Sequence, residues 1–188
     1  MDPRLWLFAT LLAAFTLLEG SASRATVVAT SNVRAAPLPY LAGLALLGGF
    51  WLSLYGAGER GFAAQGLAVI GALAMSAGIA LRLAAIRALR RYFTSHVALA
   101  SDHRLVTGGL YAWLRHPSEL GLLMVAFGAS LLLDSGAGWL FAAAVLLPLS
   151  LYRIRLEDAM LCAAFGAHFR RYARTTPALL PHWRRPHE

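Results

Sequence analysis

The sequence predicts an all-α integral membrane protein with about five transmembrane helices and a polar C-terminal region on the cytoplasmic side. The 188 residues are 59% apolar and only 14% charged, whereas a soluble domain is usually about half apolar and a quarter charged. Several apolar runs approach or reach the roughly 20 residues that a helix needs to cross a bilayer. All 17 basic residues are arginine, and most lie between or after those runs.

Three apolar runs lie in the N-terminal half. Residues 38–57 and 62–81 are long enough to span the hydrocarbon core, and the polar turn 58–61 between them predicts an antiparallel hairpin. Residues 5–18 form an earlier run that also resembles a signal peptide, because small residues follow it. A retained helix is favoured, since the charge pattern requires an odd number of passes.

Two further runs, residues 120–133 and 136–152, are separated only by Asp134 and Ser135 and predict a second tight hairpin. Each run is short for a spanning helix, but polar flanking residues can lie in the membrane interface and lengthen it.

Small residues recur every four positions on the third predicted pass, at Ala72, Ser76 and Ala80, with Ala74 and Gly78 beside them. Such spacing lets helices approach closely in lipid. We therefore expect this face to pack against another helix, and we assign it no catalytic role.

The placement of arginine sets the predicted orientation. Six arginines lie between the two hairpins and seven in the C-terminal tail, whereas the two hairpin turns hold one between them. Because arginine-rich loops remain in the cytoplasm, both regions are predicted to be cytoplasmic and the N-terminus external. The chain then divides into residues 1–91, with three passes, and residues 92–188, which include the hairpin 120–152.

The same placement argues against nucleic acid as a partner, because the arginines lie where they set topology and contact anionic membrane lipids. Cys162 is the one cysteine of the sequence. A single cysteine excludes an intramolecular disulfide and a multi-cysteine metal site, and no metal is predicted.

Polar residues cluster between His96 and Gly121. Thr107-Gly108-Gly109 predicts a turn in which backbone can approach a ligand. Pro117 suits the first position of a helix, with His116 at its cap. The free backbone N–H groups of that helix start form a site for an anionic ligand group. Contact of Arg115 and His116 with lipid phosphates is the alternative.

A second polar cluster follows the last apolar run and contains Arg153, Glu157 and Asp158. On a helix, Arg153 and Glu157 lie one turn apart on one face. Glu157 and Asp158 point to different faces, so one can serve a site while the other is solvated. A solvated surface ion pair without function is the alternative.

Together the two clusters resemble the C-terminal region of isoprenylcysteine carboxyl methyltransferases and related membrane methyltransferases, over residues 92–182. The resemblance is carried by three stretches: His103-x-Leu105-Val106-Thr107-x-Gly109-x-Tyr111, then Arg115-His116-Pro117-Ser118-x-x-Gly121, then Arg153-x-x-x-Glu157-Asp158-x-x-Leu161-x-x-x-Phe165-Gly166-x-x-Phe169-x-x-Tyr172. Glu119, where an aromatic residue is commoner, and Asp158, in place of a second Glu, depart from the pattern.

The resemblance implies a helical membrane enzyme whose cytoplasmic C-terminal region, residues 92–188, is catalytic and binds S-adenosyl-L-methionine. A lipophilic small molecule or a prenylated substrate would enter from the membrane lipids through a gap between helices. The residues that match the cofactor site of the family are His103, Leu105, Val106, Tyr111, Arg115, His116, Pro117 and Glu157, and the catalytic residues are Arg153 and Glu157.

Methyl transfer from a sulfonium requires positioning and exclusion of water rather than a metal or a nucleophilic triad. Glu157 or the ring of Tyr111 would favour the sulfonium cation. Arg153 would hold an acceptor carboxylate by two hydrogen bonds. His103 and His116 are the potential bases.

Two other classes of protein remain open at this point. A sterol-type, NADPH-dependent membrane reductase also carries an Arg-His-Pro block and a later acidic block. A non-enzymatic membrane protein would use the same polar residues at the interface. The chemical nature of the methyl acceptor and the oligomeric state are not determined by the sequence.

Overall fold

The computed structural model describes residues 3–23, 30–31, 38–55, 64–89, 98–99 and 105–180. Helices dominate these ranges, and two short strands, β1 (Thr30–Ser31) and β2 (Ala98–Leu99), pair in antiparallel register. The helices are α1 Pro3–Ser23, α2 Leu38–Tyr55, α3 Ala64–Leu89, α4 Pro117–Leu132, α5 Gly136–Phe141, a π-helical segment Ala142–Leu146, α6 Leu147–Phe165 and α7 Ala167–Thr175, with a 3₁₀ turn at Gly109–Ala112.

All five predicted apolar runs are helical. Within the described residues, two helices are long and apolar enough to cross a membrane, at Gly66–Leu89 and in the continuous helical stretch Gly136–Phe165. Pro3–Leu17, Leu44–Tyr55 and Pro117–Leu132 are shorter apolar helices. The large apolar side chains exposed on these helices, Leu44, Trp51 and Leu73 among them, are typical of helices that face lipid.

The most extensive helix contact joins α3 and α4, and glycines allow it. Gly71 and Gly78 of α3 face Gly128 and Gly121 of α4. A Cβ at Gly71 would lie 2.3 Å from a backbone nitrogen of α4, and one at Gly78 would lie 2.6 Å from the carbonyl oxygen of Gly121. No side chain larger than hydrogen fits at this separation, so the two backbones touch.

The contact with α4 uses the face of α3 that carries Gly71 and Gly78, and not the face with Ala72, Ser76 and Ala80 that the sequence predicted. Ser76 and Ala80 are exposed, whereas Met75, between the two glycines of α3, is fully buried. Residues three and four apart share a helix face, and the face with the glycines permits the shorter interaxial distance. The close packing and the place of Gly78 in it were predicted correctly, but the prediction was wrong for Ser76 and Ala80.

Helix α2 packs on α5 and α4 and contacts α3 less extensively. The ring of Phe141 packs against Gly48 and Gly49 of α2. A Cβ at Gly138 would lie 2.0 Å from Oγ of Ser53, so α5 also approaches α2 closely. The second and third predicted passes, α2 and α3, therefore do not pack mainly against each other, as the predicted hairpin would require. The turn of that hairpin, residues 58–61, lies outside the described residues.

The second hairpin is formed as predicted, by a tight turn between α4 and α5. Asp134 takes the left-handed conformation (φ 53°), which Asp tolerates better than most residues. Ser135 caps α5 by accepting a hydrogen bond from the amide of Gly138, and its hydroxyl donates to the carbonyl of Leu52 in α2. The turn thus holds three helices together.

Helix α6 continues the fifth predicted run to Phe165, well beyond residue 152. Gly166 ends it with φ 54°, a conformation that favours glycine, and α7 leaves in a new direction. The extension places Arg153 and Glu157 on a helix, as expected, beside the start of α4.

The α3–α4 contact predicts a position-specific effect of a methyl group. Gly71→Ala should lower the free energy of unfolding by about 1–3 kcal/mol, because the backbones must separate to admit the new Cβ. Gly66→Ala on the same helix is the control: its Cβ meets nothing within 4 Å, and alanine favours helix. Unfolding titrations in mixed micelles should show a loss for the first variant and none for the second. Equal losses would contradict the glycine contact.

Candidate functional site

The start of α4 is positioned from two sides. His116 is the N-cap residue and Pro117 the first helical residue, as the sequence predicted. The amide of Arg115 donates to the carbonyl of Pro177 at 2.9 Å, and the amide of His116 donates to that of Ala178 at 3.0 Å. The segment that follows α7 therefore pairs with the residues that precede α4 and fixes the His116 backbone.

Asp158 links the two polar clusters. Its Oδ2 accepts a hydrogen bond from Nη1 of Arg115 at 2.6 Å, and its Oδ1 lies 2.9 Å from Nε2 of His116. Glu157 lies on the other side of the ring, with Oε2 3.8 Å from Nδ1 of His116. The guanidinium of Arg115 also lies 6.0 Å from the ring centroid of Phe169, within the range of a cation–π contact.

The two carboxylates govern the protonation of His116. Burial opposes the charged imidazolium, but the hydrogen bond with Asp158 and the negative charges of Glu157 and Asp158 outweigh it. The pKa of His116 is therefore raised above its ordinary value of 6.5. A protonated His116 donates a hydrogen bond from Nε2 to Asp158 and attracts Glu157 electrostatically from Nδ1 at 3.8 Å, and so holds the two acidic residues of α6 against α4.

A second ion pair lies next to this cluster. Nε of Arg153 is 3.3 Å from Oε1 of Glu119, and both side chains are largely buried. Oε2 of Glu119 has no hydrogen-bond partner among the described residues. On α3, buried Arg82 donates to the carbonyl and the hydroxyl of Ser118. The first turn of α4 is thus held by arginines from α3 and α6.

Two tyrosines connect the 3₁₀ turn to α3 and α7. The hydroxyl of Tyr111 donates to the carbonyl of Ala85 at 3.4 Å, and that of Tyr172 donates to the carbonyl of Tyr111 at 2.6 Å. Burial, together with the charge of Glu157, raises the pKa of Tyr111, and burial raises the pKa of Tyr172 to about 12. Both hydroxyls therefore stay neutral donors at physiological pH.

A cavity of about 660 Å³ opens between the 105–112 segment and α7, a size typical of small-molecule sites. Its lining combines two aromatic rings, three threonine side chains, a histidine and an arginine with small apolar residues: Leu105, Thr107, Ala112, Phe165, His168, Arg171, Tyr172, Thr175 and Thr176. Beside Thr107, Gly109 has φ +59°, a backbone conformation suited to glycine, as the predicted turn requires.

The structure brings most of the predicted site residues into one region. Arg115 and His116 both contact Asp158, and Glu157 lies beside His116. Leu105 lines the cavity, next to half-buried Val106. The carbonyl of Tyr111 accepts a hydrogen bond from Tyr172, which lines the cavity. Pro117 is the first residue of α4. Arg153 lies one turn from Glu157 on α6 and contacts Glu119. His103 lies outside the described residues.

The sequence did not assign the polar residues that α7 contributes to the cavity. His168 and Arg171 are exposed on α7 and line the cavity, while Phe169 of the same helix is buried. Such a division between an apolar and a polar face is a signal that periodicity can detect. Asp158, which the sequence analysis placed in the second polar cluster without assigning it to the site, makes the shortest ion pair of the site. No described group of three or more His, Cys, Asp and Glu is placed to hold a metal.

These features define a predominantly helical membrane protein with a polar, ligand-sized site at one end of its helices. The model of the isoprenylcysteine carboxyl methyltransferase family matches residues 69–163 of this chain. This range is half of the chain and contains the α3–α4 contact, the Arg115–Pro117 segment and the Glu157–Asp158 pair. The chain belongs to the isoprenylcysteine carboxyl methyltransferase family, which confirms the resemblance seen in the sequence.

Individual relatives agree with the family match. Protein-S-isoprenylcysteine O-methyltransferase of Schizosaccharomyces pombe is 36% identical over 90 residues, which cover 46% of this chain and 38% of that protein. The protein of the same name from Homo sapiens is 31% identical over 118 residues, covering 61% of this chain and 41% of the relative. The chain thus spans about two fifths of the length of these relatives.

A solved structure shares the fold. The structure of the eukaryotic intramembrane Ras methyltransferase, isoprenylcysteine carboxyl methyltransferase, aligns with a TM-score of 0.68 and 25% sequence identity. The alignment covers 96% of this chain and 68% of the solved one. The described helices of this chain therefore share their arrangement with that membrane enzyme.

The raised pKa of His116 predicts how stability depends on pH. Its imidazolium, held by Asp158 and Glu157, stabilises the folded state fully below pH 6.5, and this contribution is lost as pH rises through the higher folded-state pKa. Thermal unfolding of the parent and of His116→Gln should therefore differ most at or below pH 6.5, and the two midpoints should converge as pH increases. A difference between the two unfolding midpoints that increases with pH would show that His116 is neutral in the folded protein.

Proposed function

We propose that this chain is an integral membrane methyltransferase that transfers a methyl group from S-adenosyl-L-methionine to a lipophilic acceptor. The observation that carries the proposal is the cavity at Leu105–Ala112 and α7, which adjoins the Arg115–His116–Asp158 cluster in a chain of this family. The relatives are named for methylation of isoprenylcysteine, so a prenylated compound is the first acceptor to test. The family match favours neither a reductase nor a non-enzymatic protein.

The residues of the cavity fit the chemical parts of S-adenosyl-L-methionine. Arg171 would hold the carboxylate of the amino acid portion, and the threonine hydroxyls at Thr107 and Thr175 would bond the ribose. The rings of Phe165 and Tyr172 offer faces for the adenine and for a cation. All of them line one cavity, and its volume of about 660 Å³ accommodates a molecule of this size.

The bound cofactor supplies an electrophilic methyl group on a positively charged sulfur. The residues of this chain would bind and orient that group and exclude water from it. Such positioning is the main requirement of an in-line displacement. Glu157 adds negative charge beside the site and favours a cation there. The His116–Asp158–Arg115 network fixes Glu157 by holding α6 against α4, so we assign it a positioning role.

The acceptor would approach from the hydrocarbon side of the cluster. Arg153 and Glu119 lie toward the apolar body of α6 and α4, roughly one helical turn of 5 Å from the His116–Asp158 contact. Exposed Leu151 and Tyr152 provide a lipid-facing surface next to Arg153. This arrangement lets a lipophilic chain remain in the bilayer while its polar head reaches the ion pairs.

Cofactor binding is tested by calorimetry of the purified protein in detergent, with S-adenosylhomocysteine and NADPH in separate titrations. The proposal expects binding of the first ligand and not of the second, and the reductase alternative expects the reverse. Glu157→Ala and His116→Ala should each weaken the binding of S-adenosylhomocysteine, by on the order of tenfold for the loss of a charged group. Arg155→Gln, an exposed change on α6, is the control and should bind like the parent. Equal binding of S-adenosylhomocysteine by the parent and the three variants would refute the assignment of His116 and Glu157 to the site.

The proposal places the site on the cytoplasmic side, because the arginine-rich segments adjoin it. In a Cys162→Ala background, single cysteines at Ser101 and at Ala137, a partly exposed residue just after the Asp134–Ser135 turn, should react with an impermeant thiol reagent from opposite sides of the membrane. Ser101 should be protected in intact spheroplasts and labelled in inverted vesicles, and Ala137 should behave in the opposite way. Labelling of both from one side would contradict the five-pass topology.

A further inference from the structure

A second cavity lies at the other end of α4, far from the Arg115–His116–Asp158 cluster. Its volume is about 420 Å³, which falls within the range of small-ligand sites. The wall combines the α4–α5 turn with residues of α3, α4 and α5, among them Leu67, Ser130, Asp134, Ser135, Trp139 and Leu140. None of these residues takes part in the proposed methyl transfer.

The serine hydroxyls and the carboxylate in this wall are hydrogen-bond acceptors without a proton to spare. The hydroxyl of Ser130 donates to the carbonyl of Ala126 at 3.0 Å, and that of Ser135 donates to the carbonyl of Leu52 at 3.2 Å. Asp134 is only 4% exposed, and its Oδ2 is buried without a hydrogen-bond partner among the described residues. Because an unpaired buried carboxylate is costly, the cavity favours a cation that carries N–H donors.

The second cavity lies where the membrane-spanning helices begin. Leu67 is the second residue of the span Gly66–Leu89, and Asp134 lies two positions before the span Gly136–Phe165. The ends of such spans lie at the level of the phospholipid headgroups, where tryptophan is enriched. Trp139 and Leu140 are 44% and 65% exposed, so the cavity has an apolar rim that faces lipid. An indole ring in the wall also favours a cation.

We propose that the second cavity binds the primary ammonium head of a membrane phospholipid, of the phosphatidylethanolamine type, at Asp134. A primary ammonium brings both positive charge and N–H donors to the acceptors of the wall. A choline head has the charge but no N–H, and a glycerol head has O–H donors but no positive charge. The bound lipid contacts α3, α4 and α5 together, and its role is to hold these helices in place.

The proposal is tested by native mass spectrometry of the full chain in detergent. The delipidated protein is titrated with phosphatidylethanolamine, phosphatidylcholine and phosphatidylglycerol that have identical acyl chains. The parent should bind one phosphatidylethanolamine about tenfold more tightly than either other lipid, because only this head forms the charged hydrogen bond. Equal affinity for phosphatidylcholine or for phosphatidylglycerol would overturn the proposal.

Asp134→Asn removes the negative charge at nearly constant volume, and asparagine tolerates the left-handed backbone of this position. This variant should lose the preference for phosphatidylethanolamine. Glu119→Gln is the matched control, because Glu119 is an equally buried carboxylate of α4 whose Oε2 also lacks a described partner, but it does not line the second cavity. Its ranking of the three lipids should equal that of the parent.

Leu140→Lys provides a second variant in case Asp134→Asn does not fold. The long lysine side chain brings its own ammonium to the wall and should lower the affinity for phosphatidylethanolamine. Unchanged affinity in either folded variant contradicts the assignment to Asp134, and the lipid ranking of the parent decides if neither folds. Dodecylamine, a free amine, should compete with phosphatidylethanolamine. If dodecylamine binds and phosphatidylethanolamine does not, the occupant is not a phospholipid and the proposal fails.

Discussion

The glycine contact between α3 and α4 determines where the functional residues lie. Because Gly78 and Gly121 bring the two backbones together, Arg82, one turn beyond Gly78, reaches the first turn of α4 at Ser118. One turn further along α3, the carbonyl of Ala85 receives the Tyr111 hydroxyl. Helix α3 therefore acts as a straight support against which both the start of α4 and the segment before it are aligned. A wider helix separation would remove both hydrogen bonds.

Charge is balanced locally in the polar region rather than by solvent. Arg115 and His116 meet Asp158, and Arg153 meets Glu119. At the edge of a low-dielectric membrane, an isolated charge is expensive, so each one is stable only with its partner in place. The pairs also join α6 to α4, two helices that make no other extensive contact within the described residues. The assembly of these helices and the proposed chemistry thus involve the same side chains.

Composition and hydropathy were sufficient to predict that the apolar runs form helices, and the tight turn at Ser135 and the start of α4 at Pro117 were predicted as well, because these depend on local sequence. The site residues came from the resemblance to the family, and their roles stay predictions. The choice of the glycine face of α3 and the pairing of Arg153 with Glu119 were not predictable, since each depends on which distant helix lies opposite. The pairing of Arg115 with Pro177 is of the same kind: two segments far apart in sequence meet only after α7 has packed.

The π-helical segment Ala142–Leu146 has a consequence for how this chain tolerates insertions and deletions. A π turn holds one residue more than an α turn, and each residue of a helix advances it by about 100°. Deleting one residue there would let the segment close into an α turn and would leave the angular position of α6 nearly unchanged. Deleting one residue from the regular helix just after it, between Leu147 and Tyr152, would instead rotate the following part of α6 by more than a quarter of a revolution and carry Arg153 and Asp158 away from α4. The orientation of these side chains therefore tolerates a deletion within a stretch of alanine, valine and leucine better than one a single turn later.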